Sequence, residues 1–169
     1  MSEISVRPLV AADWEDVRRI FAEGIATGNA TFEPEPPTWE GFDAGKVPHS
    51  RLVALDEGGT VLGWIAASPV SARAVYAGVV EHSVYVAEAA RGRGAGRALL
   101  AAFIISAEEH GVWTIQSSVF PENAATVGLH AEFGFRMIGR RERIALMTYG
   151  PWAGQWRDTL LLERRSALN

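Results

Sequence analysis

The segment RGRGAG, Arg91 to Gly96, places three glycines at alternate positions directly before the stretch with the clearest helical pattern. Glycine lets the backbone approach a ligand closely and adopt positive φ angles. A helix that begins here offers free N–H groups and the positive end of its dipole to an anion. Arg91, Arg93 and Arg97 add positive charge at the same point. These features predict a loop that binds a phosphate or pyrophosphate group.

Two familiar phosphate-binding loops do not fit this segment. The phosphate-loop nucleoside triphosphatases require GxxxxGK[ST], and the sequence contains no such string. A dinucleotide-binding loop requires GxGxxG at the start of a βαβ unit, whereas this loop is GxGxG and lies in the middle of the chain. A glycine turn with a purely structural role is the remaining alternative. The flanking arginines, the strand before the loop and the helix after it favour anion binding.

The composition is that of an ordinary globular chain and excludes several kinds of site. The 169 residues are 48% hydrophobic and 21% charged, which predicts one domain over residues 1–169. A formal net charge of −4 provides no basic surface, so a nucleic-acid partner is not expected. The absence of cysteine excludes disulfides, thiolate metal sites and a cysteine nucleophile. No metal is expected, because no ligand spacing is found among His49, His82, His110 and His130.

The chain has no pattern typical of membrane insertion or export. Its longest largely apolar run, Ala98 to Ala107, is far shorter than the ~20 residues of a membrane-spanning helix. The beginning, MSEISVRPL, lacks the charged and apolar regions of a signal peptide. We therefore expect a cytoplasmic protein without a membrane partner.

Hydrophobic periodicity predicts strands and helices along most of the chain. Helices are predicted after Asp13, which is placed to cap one, and at Trp39 to Gly45, Ala95 to His110 and Asn123 to Phe133. Strands are predicted at Ile4 to Leu9, Arg51 to Asp56, Val61 to Ser68, Val79 to Val86, Trp113 to Val119, Arg136 to Arg140 and Thr159 to Leu162.

This order of elements predicts a central, largely antiparallel sheet covered by helices, with one helical crossover after Val86. The three prolines between Asn29 and Pro37 predict a loop there. Four tryptophans in or beside the predicted elements are expected in the core: Trp14, Trp64, Trp113 and Trp156.

Two separate motifs resemble one known family. The run VYVAEAARGRGAGRALL, Val84 to Leu100, is similar to the signature of the GNAT superfamily of N-acetyltransferases, and Arg91, Gly94 and Gly96 fit its pattern. The run NAATVGLHAEFGF, Asn123 to Phe135, is similar to a second segment of that family. The resemblance implies an acetyl-CoA-dependent N-acetyltransferase with the α/β (α+β) acyl-CoA N-acyltransferase fold, a mixed, mostly antiparallel sheet flanked by helices.

The resemblance also implies where acetyl-CoA binds. The backbone of Val84 and Val86 would pair with its pantetheine arm as an added strand would, and the N–H groups of Gly92 to Arg97 would hold its pyrophosphate. Asn123 would bond the arm, and a plain helix N-cap is the alternative role of this side chain. The residues implied for the cofactor are Val84, Tyr85, Val86, Arg91, Gly92, Arg93, Gly94, Ala95, Gly96, Arg97 and Asn123.

Glu81 and His130 are the candidate catalytic residues. Glu81 lies in the otherwise apolar strand VVEHSVYV, where burial of a carboxylate is costly unless it is paired or used. A residue that faces solvent is the alternative. His130 stands where many GNAT relatives carry a tyrosine that protonates the leaving thiolate, so that role does not transfer unchanged. A packing histidine is the alternative there.

Four patterns resemble one subfamily, the phosphinothricin acetyltransferases: EHSVYV, LHxxxGF, NATFEPEP at Asn29 to Pro36, and GQWRD at Gly154 to Asp158. In that subfamily the glutamate and the histidine are regarded as catalytic. Its members acetylate the α-amine of amino acids or of analogues such as phosphinothricin, methionine sulfoximine and methionine sulfone.

The same resemblance implies a substrate rim in the loop Ser71 to Tyr76, where Arg73 would pair with a carboxylate. A plain surface charge is the alternative for Arg73. The rim departs from the relatives, because SARAVYAG has few cationic or bulky side chains. The residues implied for the substrate are Thr31, Phe32, Arg73, Ala74, Val75 and Tyr76.

Two other functions compete with a small-molecule acetyltransferase. One is acetylation of a protein N-terminus or lysine, which the lack of a tail or charged groove disfavours. The other is a non-catalytic acyl-CoA-binding sensor, which the presence of Glu81, His130 and Asn123 disfavours. A homodimer is implied by resemblance alone, through the segment Met147 to Asp158.

Overall fold

The structure, a computed structural model, describes residues 3–169. Seven strands form one sheet in the order β1-β2-β3-β4-β5-β7-β6, and every neighbouring pair is antiparallel except β4 and β5. The strands are β1 Ser5–Pro8, β2 Leu52–Leu55, β3 Val61–Pro69, β4 Val79–Val86, β5 Thr114–Val119, β6 Arg136–Leu146 and β7 Trp156–Arg165. The α-helices are α1 Trp14–Ala26, α2 Trp39–Gly45, α3 Ala95–Glu109 and α4 Ala124–Glu132.

The helices cover both faces of the sheet and divide the side chains of β4 between two packing layers. Tyr85 stacks on Phe21 of α1 and on Trp64 of β3, with ring centroids 4.8 Å apart in both pairs. His82 packs instead against Phe103 of α3. Because alternate residues of a strand point to opposite faces, Glu81 shares the α1 side with Tyr85, and His82 faces α3 and α4.

The predicted topology is confirmed, including the single helical crossover between β4 and β5. The bounds of β4 and α2 match the prediction residue for residue. The last two strands are longer than predicted, because the segment RRERIA of edge strand β6 is mostly charged and exposed and so carries no apolar pattern.

Two local predictions are wrong. Asp13 directly precedes α1, but its carboxylate does not cap that helix; it accepts hydrogen bonds from Arg7 and from the backbone N–H of Val10. Trp156, expected in the core, is 54% exposed, because it begins β7 opposite Leu146 at the edge of the sheet.

The pairing of β4 and β5 stops in the middle of the sheet. Its register runs only from Val79 opposite Thr114 to Glu81 opposite Gln116. Beyond this point β4 continues to Val86 along β3, and β5 continues to Val119 along β7. The two strands therefore diverge and leave a gap after Glu81.

Gly63 of β3 lies opposite Val86, on the part of β4 that borders the gap. We predict that Gly63→Ala destabilises the protein. A Cβ at Gly63 would lie 2.6 Å from the carbonyl oxygen of Tyr85 and 3.1 Å from the side chain of Leu99, and the backbone oxygen cannot move aside cheaply. We expect a loss of about 1–3 kcal/mol in the free energy of unfolding, measured in urea.

The matched control is Gly139→Ala in β6, where an added Cβ meets no atom within 4 Å. It should change the free energy of unfolding by less than about 0.5 kcal/mol. Equal effects of the two substitutions would contradict the close approach of β3 and β4.

Candidate functional site

The glycine-rich loop has the geometry of an anion site. Gly92 and Gly94 have φ angles of 74° and 93°, and Gly94 immediately precedes the first residue of α3. A Cβ built at either glycine meets no atom within 4 Å, so the space in front of the loop is open. The first N–H groups of α3 therefore face an open cleft at the positive end of the helix dipole.

Most of the residues predicted for the cofactor line this cleft. The exception is Arg93, which is exposed and whose N–H donates to the carbonyl of Ala90. Arg97 pairs with Glu132 of α4. The predicted residues in the lining are Val84, Tyr85, Val86, Arg91, Gly92, Gly94, Ala95, Gly96, Arg97 and Asn123.

The backbone of β4 presents hydrogen-bonding groups to the gap. The N–H of Ala87 donates to Leu62 of β3 at 2.8 Å. Successive residues of a strand direct their N–H and C=O groups to opposite edges. The groups of Val84 and Val86 therefore point away from β3 toward the gap, where β5 has diverged and provides no partner.

Asn123 stands where the gap meets α4. Its side-chain oxygen accepts a hydrogen bond from the N–H of Thr126 at 3.3 Å, so the helix N-cap role is confirmed. Its side-chain amide lies 3.4 Å from the carbonyl oxygen of Asn29, and the residue lines the cleft. Loop, gap and Asn123 together fit a ligand with a diphosphate group and an extended, amide-bearing arm.

A second cavity, of about 480 Å³, opens on the α1 side of the gap. Its walls include Thr31, Phe32 and Glu81. The Glu81 carboxylate accepts a hydrogen bond from the side-chain amide of Gln116 at 3.3 Å. The Glu81 side chain is half-buried and faces the cavity. This excludes the alternative that Glu81 only faces bulk solvent.

Lys46 lines the same cavity and lies in none of the motifs described above. It follows α2 and donates from Nζ to Ser68 Oγ of β3 at 3.2 Å. Burial lowers the pKa of the Lys46 ammonium, and the negative charge of Glu81 partly offsets this effect. The cavity therefore holds a carboxylate and an ammonium group close together.

His130 lies on the opposite face of β4 from Glu81 and is buried by α4. Its Nε2 is 2.9 Å from Nε2 of His82, and its Nδ1 is 2.6 Å from the carbonyl oxygen of Thr126. The carbonyl can only accept, so Nδ1 of His130 carries the hydrogen and its Nε2 accepts from His82. The structure thus pairs His130 with His82 and not with Glu81.

Both members of this pair are neutral in the fold. Burial lowers the pKa of His130, and burial together with the nearby His130 lowers the pKa of His82 well below its ordinary value. Nδ1 of His82 is buried without a hydrogen-bond partner. A protonated ring at His82 would therefore be buried without an anion to compensate it.

The loop from Asn29 to Pro37 closes the cavity and is held from the C-terminal part of the chain. The Tyr149 hydroxyl donates to the carbonyl of Thr31 at 2.6 Å. The buried Arg157 guanidinium donates to the carbonyl of Gly28 and, at 2.6 Å, to the side chain of Asn29. Arg157 belongs to the GQWRD run that resembles the subfamily, but the sequence alone did not predict its contact with this loop.

The predicted substrate rim lies outside the lining of the cavity. Ala74–Tyr76 form an exposed 3₁₀ turn between β3 and β4. The Arg73 guanidinium lies 5.5 Å from the centre of the Tyr76 ring. The cations in the lining are Lys46 and Arg141 instead. A substrate role for Arg73, Ala74, Val75 and Tyr76 stays a prediction.

Across residues 3–169, no helix is both long and apolar enough to cross a membrane. The same residues contain no group of three or more His, Cys, Asp or Glu side chains arranged to hold a metal ion.

Comparison with known proteins gives consistent matches. The family described as Acetyltransferase (GNAT) family matches residues 14–135. An L-methionine sulfoximine/L-methionine sulfone acetyltransferase of Pseudomonas paraeruginosa is 30% identical over 166 residues, 94% of this chain and 92% of that protein. A phosphinothricin N-acetyltransferase of Alcaligenes faecalis is 35% identical, covering 95% of this chain and 81% of the relative.

A solved structure agrees with these matches. The GNAT superfamily phosphinothricin acetyltransferase from Sinorhizobium meliloti, crystallised in complex with acetyl-CoA, superposes with a TM-score of 0.85 at 29% identity. The alignment covers 96% of this chain and 88% of that one.

The neutral histidine pair predicts a pH dependence of stability. Folding lowers both histidine pKa values, so below about pH 6.5 the unfolded chain binds more protons and the free energy of unfolding falls. Each histidine that stays neutral in the fold lowers the free energy of unfolding by about 1.4 kcal/mol between pH 7.5 and pH 5.5. His82→Gln should therefore reduce this pH-dependent loss by about 1 kcal/mol in urea unfolding at the two pH values.

The control is Arg18→Gln on the exposed face of α1, which should leave the loss unchanged. An unchanged difference between the two pH values in the His82 variant would show that His82 is not held neutral in the fold.

Proposed function

The chain belongs to the GNAT family of acetyl-CoA-dependent N-acetyltransferases, and from this premise we propose that its acceptor is the α-amine of an amino acid or amino-acid analogue. The analogues in question are of the phosphinothricin, methionine sulfoximine or methionine sulfone type. The names of the relatives and their coverage of nearly the whole chain support this acceptor class.

One observation carries the proposal: two cavities of different chemistry meet at the gap between β4 and β5. The cleft at the glycine-rich loop runs along the gap past Val84 and Asn123. The cavity that contains Glu81 opens onto the same stretch of β4, since Ala30 and Tyr85 line both spaces. An acetyl donor from one side and an amine from the other would therefore meet beside β4.

We assign the cofactor cleft as follows. The N–H groups from Gly92 to Arg97 would hold the pyrophosphate, and the backbone of Val84 and Val86 would pair with the pantetheine arm. Asn123 would bond the arm while it caps α4. When bound, acetyl-CoA supplies an acetyl group activated as a thioester. Arg93 supports this site only through charge, because its side chain is outside the lining.

Glu81 is the proposed general base. An attacking amine must lose a proton, and the Glu81 carboxylate, held by Gln116, faces the cavity where the amine would lie. The backbone N–H of Val84, beyond Glu81 on β4, faces the gap and would stabilise negative charge that develops on the acetyl carbonyl oxygen. The base and the oxyanion donor thus come from one strand.

His130 is the second proposed catalytic residue, and its contacts favour an orienting role. Both ring nitrogens already take part in hydrogen bonds, to His82 and to Thr126. His130 also lines the gap beside Asn123 and Thr126. We propose that the His82–His130 pair fixes the position of α4 against the reacting groups.

We also propose that residues 1–169 form a single domain and that the protein is cytoplasmic. A homodimer is part of the same proposal and is supported by apolar side chains exposed along the free edge of the sheet. These side chains are Met137, Ile138, Ile144, Leu146 and Trp156.

Release of free thiol from acetyl-CoA tests the acceptor class. We expect turnover with methionine sulfone or phosphinothricin and little with a lysine peptide. Glu81→Gln should lower kcat by roughly 10²-fold and raise the pH at which activity appears. Glu33→Gln, which removes another carboxylate from the cavity wall, should do much less.

Three outcomes would contradict parts of this proposal. Turnover with the lysine peptide alone would favour a protein acetyltransferase. No thiol release with any amine, combined with normal acetyl-CoA binding, would favour a non-catalytic sensor. An unchanged pH profile in the Glu81 variant would remove Glu81 as the base.

A further inference from the structure

Lys46 is the only lysine in the sequence; the other 15 of the 16 cationic Lys and Arg residues are arginine. It is half-buried, and it lines the cavity that contains Glu81. A lysine ammonium is a compact point charge on a flexible stem, whereas a guanidinium is a broad planar fork. The chain therefore has its one compact cation at the wall of the acceptor cavity.

The position of Lys46 is fixed by two contacts with β3. The backbone N–H of Val47 donates to the carbonyl of Ala67 at 2.8 Å, which ties the segment after α2 to the strand. Nζ of Lys46 donates to Ser68 Oγ at 3.2 Å. Ser68 lies directly opposite Glu81 in the register of β3 and β4. The ammonium group is thereby held across the strand pair from the proposed base.

Lys46 and Glu81 do not neutralise each other. Among the described residues, Lys46 forms no ion pair within 4.0 Å, and its one side-chain hydrogen bond goes to Ser68. An ammonium group has three N–H donors, so two are left for groups in the cavity. The aromatic ring of Phe42, 5.7 Å from Nζ, provides further packing on one side.

We propose that Lys46 binds the carboxylate of the acceptor and so makes the enzyme specific for α-amino acids over amines without a carboxylate. An α-amino acid carries its amine and its carboxylate on one carbon. With the amine at Glu81, the carboxylate lies toward Lys46, and the opposite charges of the cavity match those of the zwitterion. This inference rests on the proposed function and assigns the carboxylate site to Lys46 instead of Arg73.

Other charged groups face the same space. Glu33, Arg141 and His82 also line the cavity, and the nearby Lys46 charge helps to lower the pKa of His82. Arg141 is exposed and donates to Ser118 Oγ at 2.7 Å, on the β5 side of the cavity, whereas Lys46 is attached on the β3 side opposite Glu81. Lys46 is thus the cation whose position is tied to that of the base.

The first test compares methionine sulfone with its methyl ester in wild type and in Lys46→Met. The variant should lose roughly tenfold to hundredfold in kcat/KM for the acid, mostly through KM, and far less for the ester. Lys46→Arg should recover part of the preference for the acid. Arg18→Met removes one charge from the exposed face of α1 and should leave the ratio of acid to ester unchanged.

The second test does not need turnover. Selective ¹³C-lysine labelling gives one side-chain resonance, that of Lys46, and its titration reports the pKa of the ammonium. With free CoA present, methionine sulfone should raise this pKa, because a bound carboxylate favours the charged form. The methyl ester should not raise it.

The outcomes separate the two proposals. If wild type acetylates neither the acid nor the ester, the proposed function falls and the Lys46 assignment falls with it. If wild type acetylates both while Lys46→Met keeps the wild-type ratio or lowers both rates equally, only the Lys46 assignment is overturned. Collapse of the ratio in Arg73→Met but not in Lys46→Met would also overturn it.

Discussion

The interrupted pairing of β4 and β5 is the constraint on which the rest of the site depends. A backbone N–H or C=O group that lacks a partner inside a protein costs about 1–3 kcal/mol. After Glu81, in the middle of a seven-stranded sheet, β4 has no pairing with β5. A ligand with an amide-bearing arm can pair with this free edge of β4, so the gap is the basis of the proposed binding site.

The crossover that follows β4 places the remaining groups of the proposed cofactor site. Because β5 is parallel to β4, the chain must return through a helix, and that helix starts at the end of the strand that borders the gap. Its free N–H groups, opened by Gly92 and Gly94, therefore lie at one end of the groove. The anion site and the strand-like site are thus consequences of one topological feature.

The sheet also separates two kinds of polar chemistry. On the α1 side, Glu81 and Lys46 border an open cavity that a ligand can enter. On the α3 and α4 side, His82 and His130 are buried among Phe103 and Phe135, where a charge would be costly. The two polar groups on that side are consequently a neutral pair whose hydrogen bonds are internal.

Local sequence patterns were sufficient to predict β4, the glycine-rich loop, α3 and the N-cap at Asn123. Each is a short-range feature whose signal lies in adjacent residues. The position of Lys46 at the cavity and the pairing of His82 with His130 could not be predicted from the sequence, because contacts between distant segments create them. Edge strand β6 was predicted too short for a different reason: its solvent-exposed arginines do not alternate with core residues.

Calorimetry of acetyl-CoA binding to two matched glycine variants tests the central claim most directly. Gly94 and Gly59 have φ angles of 93° and 81°, and an added Cβ at either meets no atom within 4 Å, so valine strains both backbones alike. Gly94 borders the cleft, whereas Gly59 lies in the hairpin turn between β2 and β3. The account predicts that Gly94→Val abolishes measurable binding and that Gly59→Val binds as wild type does. Normal affinity in the Gly94 variant would contradict the assignment of the loop and of the gap it adjoins.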